Sequence, residues 1–489
     1  MGVKSTHGPR VPRLLNKRMR TGGTMRGAVA AAALACAFAI GGAPDARAQG
    51  VVIGLVPPDE ADSRDAGDAG APLEFPGPRL EPRTSRPAGS ETWPRACSFR
   101  HALCVHADAK TPTAIVLGAL ASAERAWDAL TGTLKIPAPW PDLSGSYDIY
   151  LVDGVTGGGA TYASERDVRA RFDRASSFSL VDRGLAGCAL DQTIAREIAR
   201  ASLFRVAPAT DDASARAATT YLARLVAPCP ADESFAIFQR YPQRSIFDSW
   251  READPHFSDA YMRGAALFYW FLDAEFATEP GAGIRGLWAL APTTTAFGAD
   301  HWRGQPDEMD VLRMTFKGAL GALTTADDLF VRFAVARAFA GAADDGEHFP
   351  ESRALGEAAR VRVEWDVPWP EKPRRFASAN PVGPMGAAYV AIARANAPKG
   401  SGLALRAEWE EHARMRWVVV KVDAKGAATA LLPVTGFDRG TEAELSVTNL
   451  DDTATVLVVG VNVGDPYRPF DPDDAVFEPH GWMLTIQPE

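Results

Sequence analysis

The chain has 489 residues, 46% hydrophobic and 23% charged, with 52 Lys and Arg against 61 Asp and Glu. That is an ordinary globular composition, long enough for two or three domains. It carries neither a basic patch nor a Lys/Arg stripe interleaved with aromatics, so nucleic-acid binding lacks the phosphate neutralisation that supplies its affinity.

Near the N-terminus, Arg18, Arg20 and Arg26 precede an Ala-rich apolar run at 27–43. Ala46-Arg47-Ala48 then places small residues where a signal peptidase reads. The pattern predicts a signal peptide over 1–48, cleaved after Ala48, and export to the periplasm, the cell surface or the medium. Cys36 lies inside the apolar run, which continues through Ile40, and is read as a small residue of the signal rather than a lipidation site. Removing 1–48 leaves 44 basic against 60 acidic residues, a net charge of −16. No later run is apolar for long enough to span a bilayer, so no transmembrane span is expected in the mature chain.

Residues 49–95 are rich in Pro, Asp, Glu, Gly, Arg and Ser and are expected to form an unstructured linker. Four cysteines remain beyond the signal, Cys97, Cys104, Cys188 and Cys229, an even number that predicts two disulfides in an oxidising compartment. His101 and His106 stand beside the first pair without zinc-site spacing.

Residues 111–134 follow as an amphipathic helix, with Val116, Leu120, Ala123, Trp127 and Leu130 at alternating steps of four and three. A strand is expected at 147–152, ending in the turn Asp153-Gly154, and another at 176–181. Between them Gly157-Gly158-Gly159 fits no phosphate-binding loop and is expected to be a flexible connection. Residues 190–206 and 213–226 predict an antiparallel helical hairpin. Its geometry sets Cys188 beside Cys229 and so favours that pairing, with Cys97 to Cys104 as the other. Further helices are expected at 257–277, 308–320 and 326–340, the last behind the capping residue Thr325. Phe268-Tyr269-Trp270-Phe271 marks a buried helix rather than a cofactor box.

After about residue 355 the period changes. Short β-rich runs at 361–365, 387–392, 403–409, 416–422, 427–433, 442–447, 453–463 and 483–486 predict a β-sandwich of immunoglobulin or fibronectin character. The expected fold class is therefore α+β, with a mainly helical domain over 96–355 and an all-β sandwich over 356–489. Asp471, Asp473 and Asp474 lack calcium-loop spacing and are read as a solvated turn.

One short motif bears on chemistry. Arg196-Glu197-Ile198-Ala199-Arg200 has the frame R-E-x-x-R, where a zinc-peptidase helix has H-E-x-x-H. Around it run a helix, a strand, a Gly-rich connection, a second strand, the Glu-bearing helix, a partner helix, and a long helix with Tyr261, Gly264, Phe268 and Leu272 before Leu287-Trp288. Over residues 97–345 that order resembles secreted zincin-type metallopeptidases of the gluzincin kind, in which a C-terminal β-sandwich also occurs. The resemblance implies a zincin-like fold and matches Glu197 to the family's catalytic Glu. It sets Arg196 and Arg200 where the two His ligands stand. Arginine stays protonated and has no lone pair for a metal. The resemblance also implies a third ligand, a Glu on the next helix, yet 213–228 holds no Asp, Glu, His or Cys.

The expected function is that of an exported, catalytically inactive metallopeptidase-like protein, a pseudoenzyme with no metal or cofactor. It would act as a binding or structural module, Arg196 and Arg200 recognising a carboxylate in a peptide or an anionic envelope ligand. Three other readings stay open. The motif is a solvated helix face with Glu197 and Arg200 paired at i,i+3; the chain is an active hydrolase using Glu197 with zinc on unrecognised ligands; or it is an adhesion or carbohydrate-binding protein working through the sandwich.

Overall fold

Short strands that are apolar on alternate positions build the first sheet: β1 (Arg95–Cys97), β2 (Leu103–Ala107), β3 (Tyr147–Val152), β4 (Gly159–Arg166) and β5 (Ala175–Asp182). They lie in the order β1-β2-β3-β5-β4, with β2, β3 and β5 parallel and the two edges antiparallel. Strand alternation sends Tyr147, Ile149 and Leu151 to a helix-covered face, and Asp148 and Tyr150 to the reverse face. The computed structural model describes residues 86–489 except 168–171, 231–232, 292–301, 303, 305, 317–324, 350, 435–439, 466, 469 and 473–476. The expected signal peptide with Cys36 and Ala48, linker residues 49–85, and Asp473 and Asp474 lie outside the described residues. The last stretch of the expected linker differs from that reading. A 3-10 turn at Ser90–Thr92 and the start of β1 order it.

Helices cover the first face: α1 (Thr113–Trp127), whose last turns widen into π-type bonding over Asp128–Thr133, then α2 (Gly187–Val206) and α3 (Asp212–Val226). α3 begins where the Asp211 carboxylate accepts from the Ser214 N–H at 2.8 Å. Ala195, Ala199 and Ala201 of α2, with Ala215, Ala217 and Ala218 of α3, are all buried, and such small residues let the two helices pack closely. Cys188 is bonded to Cys229 across the open end of this hairpin, and Cys97 to Cys104 across β1 and β2.

The remaining helices are α4 (Glu233–Arg240), α5 (Pro255–Gly264), α6 (Ala266–Phe276), α7 (Ala282–Leu290), α8 (Glu308–Phe316) and α9 (Ala326–Arg337). The helix expected over 257–277 is thus two helices, divided at Ala265. Gly264 packs against α4 so tightly that a Cβ there would lie 2.5 Å from the Phe238 Cβ, a crossing that sequence periodicity does not reveal. Thr325 caps α9 in a reciprocal box with Asp328.

Nine strands form the second half: β6 (Trp365–Pro368), β7 (Arg374–Ala377), β8 (Ala387–Ala393), β9 (Leu403–Trp409), β10 (Met415–Val422), β11 (Ala428–Val434), β12 (Glu442–Val447), β13 (Thr455–Asn462) and β14 (Trp482–Pro488). They make sheets ordered β11-β10-β13-β8-β6 and β12-β9-β14-β7. Val419 and Val458 of the first share a core with Leu405, Ala407, Leu484 and Ile486 of the second. The chain is therefore α+β with a β-sandwich. β6 is displaced from the strand expected at 361–365, and β7 is an addition, too short and too charged to announce itself.

Val418, Val420, Leu457 and Val459 point the other way, into the core of the helical part. That sheet is buried on both faces, which explains the unbroken apolar runs of β10 and β13. Polar groups tie the same seam. The Tyr389 hydroxyl on β8 donates to the Ala334 carbonyl on α9 at 2.8 Å, and the Gln239 amide donates to the Ala359 carbonyl at 2.8 Å. Tyr389→Phe should lower the unfolding free energy by about 1–2 kcal/mol in urea titration, since it strands a buried carbonyl. An unchanged midpoint would show that the seam does not depend on that bond.

Candidate functional site

α2 carries Arg196 and Glu197 to the underside of β4, and both residues are buried, at 8% and 3% exposure. The close approach depends on Gly159, whose missing Cβ would stand 2.8 Å from Glu197 Oε1. Gly157, at a φ of 66°, would press a Cβ into the Asp259 carboxylate. The triple glycine expected as a flexible connection is instead a packed contact that only glycine permits at both positions.

Each Glu197 oxygen is engaged. Oε1 accepts from Arg196 Nε at 2.9 Å, and Oε2 accepts from the Thr161 hydroxyl at 2.7 Å. Arg196 Nη2 donates onward to the Gly157 carbonyl at 2.8 Å. Arg200 does not pair with Glu197 at i,i+3. Its guanidinium lies over the Phe204 ring at 5.1 Å and donates to Asp212 at 3.3 Å.

Arg216, one helix later, completes the cluster. It donates to Asp259 on α5 and lies 3.8 Å from Asp212, while Arg263 Nε donates to the other Asp259 oxygen at 2.8 Å. Burial works against the Arg216 charge, but Asp212, Asp259 and Glu197 outweigh it and raise its pKa. Arg200 moves down instead, through burial and the neighbouring Arg216, against the pull of Asp212 and Glu197. Asp211 beside them is pushed up by burial to about 6.

A cleft of about 630 Å³ opens between the Gly-rich turn, β4 and α5, and Arg216, Arg251, Asp212, Asp259, Tyr162 and Ser258 are among its walls. Asp153 also lines it and is bonded to Arg183. Two guanidinium groups, Arg216 and Arg251, thus share the walls with three carboxylates, Asp153, Asp212 and Asp259, while Arg183, Arg200 and Arg263 pair with those carboxylates from outside the lining. Arg196, named from sequence as an anion binder, is turned inward to Glu197, and Arg200 has only 15% of its side chain exposed. Arg216 and Arg251 face the cleft. Sequence reasoning missed both, and the available signal was the glycine run, which marks a close approach to charged neighbours.

The donor set does not suit zinc. Positions 196, 200 and 216 present guanidinium groups with no lone pair, and Glu197 is the one carboxylate of the motif, buried with each oxygen already accepting a hydrogen bond. Among the described residues one other group has metal-ligand chemistry, the buried Cys104, His106 and Asp148 on the reverse face of the first sheet.

No protein-family model and no curated protein matches the chain. Among solved structures it is similar to the pre-peptidase C-terminal domain of a Bacillus anthracis collagenase, at 9% identity over 26% of this chain and 99% of that one, with a TM-score of 0.18. A surface-associated copper-binding protein of Methylomicrobium album BG8 matches at 6% identity over 25% of this chain and 96% of that one, TM-score 0.18. A chitosan-binding module of a Paenibacillus sp. IK-5 chitosanase/glucanase matches at 16% identity over 23% and 74%, TM-score 0.15.

Proposed function

We propose that the chain is an exported binding module built on a zincin-like scaffold without a hydrolytic centre, and that its cleft takes an anionic segment such as a peptide carboxylate. The burial of Glu197 carries this reading. A general base must lie within reach of the water it activates. Glu197 gives one oxygen to Arg196 and the other to Thr161, and β4 closes over it at Gly159. Arginine at 196 and 200, with Arg216 beside Glu197 on the next helix, supports the view that a metal site has been replaced by fixed positive charge. Arg216 and Arg251, the two guanidinium groups on the cleft walls, are the groups that would take an anionic occupant. Two disulfides favour an oxidising compartment. No helix among the described residues is long and apolar enough to cross a membrane.

The purified protein should hold no stoichiometric zinc and cleave no general protein substrate. Arg196→His with Arg200→His restores only the spelling of the motif, and tight zinc binding should require Arg216→Glu as well. Stoichiometric zinc with metal-dependent proteolysis in the unmodified protein would overturn the proposal. An oligoglutamate peptide should bind the wild type, and Arg216→Ala or Arg251→Ala should weaken it about tenfold, the loss of one charge-assisted hydrogen bond. Equal affinity in all three proteins would remove the cleft from the reading.

A further inference from the structure

On the reverse face of the first sheet, away from Glu197, three ligand-bearing side chains converge. Cys104 and His106 alternate along β2 and so project to one side, and Asp148 on β3 stands in register opposite Cys104. All three residues are buried, at 6%, 7% and 4% exposure. One donor atom from each lies within 4.8 Å of the other two. His106 Nε2 and Asp148 Oδ1 are 3.1 Å apart, close to the roughly 3.3 Å that separates two ligands of a tetrahedral zinc with bonds of about 2.0 Å. Asp148 is held by a 2.8 Å hydrogen bond from Ser146, and burial, which would raise its pKa, is outweighed by His106, Ser146 and Arg86.

Independent of that clustering, His106 has an unused ring nitrogen. Its side chain is 92% buried, given 8% exposure, and Nδ1 has no hydrogen-bond partner among the described residues. A buried imidazole nitrogen without a partner is uncommon. Nε2, the nitrogen that faces Asp148, is the one an ion shared with that carboxylate would take, and Nδ1 then carries the ring proton. A cavity of about 760 Å³ reaches this floor, with Trp93, Tyr150 and Phe178 on its walls beside His106 and Asp148.

The sulfur is withheld, because Cys104 is bonded to Cys97 on the exposed edge strand. We infer that Cys104, His106 and Asp148 form a zinc site masked by the Cys97–Cys104 disulfide and opened by its reduction. A dithiol supplies two electrons and two protons and leaves as its cyclic disulfide, giving two thiols. Cys104 then loses its proton to solvent as its thiolate binds Zn²⁺. The sulfur, nitrogen and oxygen donor set selects a borderline ion such as zinc over calcium or magnesium. Thiolate and carboxylate balance the ion's charge, Arg86 pairs with Asp142 and lies 3.6 Å from the second Asp148 oxygen, and the cavity beside His106 and Asp148 gives water access to the ion.

The test compares two variants that break the same disulfide and leave Cys188–Cys229 intact. Cys97→Ser frees the Cys104 thiol without any reductant, whereas Cys104→Ser frees Cys97 instead. Zn²⁺ titration with metal analysis should give one equivalent on Cys97→Ser and none on Cys104→Ser or on oxidised wild type. His106→Ala in the Cys97→Ser background should weaken binding by about ten- to a hundredfold. Co²⁺ should show thiolate charge-transfer absorption in Cys97→Ser alone. A second readout uses the wild-type chain, in which Zn²⁺ should slow re-formation of Cys97–Cys104 after reduction, scored by alkylation and peptide mapping. Equal zinc content in the two serine variants, or re-oxidation indifferent to Zn²⁺, would refute the site.

Discussion

Glu197→Ala is expected to destabilise the protein by about 3–5 kcal/mol, the cost of leaving one partner of a buried ion pair without the other. Arg196 would keep only the Gly157 carbonyl, and the Thr161 hydroxyl would lose its carboxylate. Glu197→Gln keeps an acceptor for Arg196 but removes the charge, so it should cost less, about 2 kcal/mol. The sign is what discriminates. A carboxylate held open for catalysis is strained, and removing it commonly leaves stability unchanged or raises it. Urea titration with an unchanged m value reads the difference. Arg196→Met with Glu197→Met should recover most of the loss, since replacing both charges leaves neither uncompensated. A Glu197→Ala protein as stable as wild type would mean that the carboxylate is not the structural anchor its two bonds describe.

The parts of the fold that were legible from sequence are those in which local pattern and tertiary environment agree. The α2–α3 hairpin announces itself through apolar spacing, and its antiparallel geometry places Cys188 beside Cys229. β10 and β13 stand out because burial on both faces leaves no polar interruption. β2 and β4 went unread for the opposite reason. β2 is five residues long and includes the polar His106, while β4, over the cleft, is half-buried along most of its length.

The site was legible only along α2. Arg196, Glu197 and Arg200 are neighbours in sequence, but what decides their chemistry comes from elsewhere. Thr161 and Gly159 precede them by a strand and a turn, and Arg216 meets Asp259 across a separation of 43 residues. His106 and Asp148 are 42 apart on parallel strands. No spacing rule reaches over such distances, because the connection between parallel strands is free to vary in length. The glycine run shows the same limit from another side. Three consecutive glycines read as freedom in one dimension, and as lack of room once Glu197 and Asp259 stand against them.

Stability should fall as pH rises from about 5 to 9, which is unusual for an acidic chain and follows from three buried carboxyl groups. Burial pushes Asp211 to about 6, Glu308 to about 7 and Asp307 to about 9. Asp310 and Asp471 add to the effect on Asp307. Glu308 faces Asp211 and accepts from the Tyr269 hydroxyl at 3.0 Å. In the unfolded chain these groups titrate near 4. The folded protein therefore holds protons that the unfolded chain has released, and the resulting stability, complete below pH 4, is lost as pH climbs through 6, 7 and 9. Carboxylates held low, Asp345 at about 2 among them, lose their contribution only at the acid end, so the maximum should lie near pH 5. Across the window each such group contributes a slope of up to about 1.4 kcal/mol per pH unit. Glu308→Gln keeps an acceptor for Tyr269 without a titrating proton and should flatten the curve between about pH 4 and 7, whereas Asp307→Asn should flatten it from about pH 4 up to 9 and is the variant that acts between 7 and 9. Superimposable pH–stability curves for wild type and Glu308→Gln would exclude Glu308 as the source. The same titration reaches the cleft, because Asp211 caps α3 next to Asp212 and attracts Arg200 once ionised. Oligoglutamate affinity should accordingly decline above pH 6, as the new negative charge beside the cleft repels the ligand.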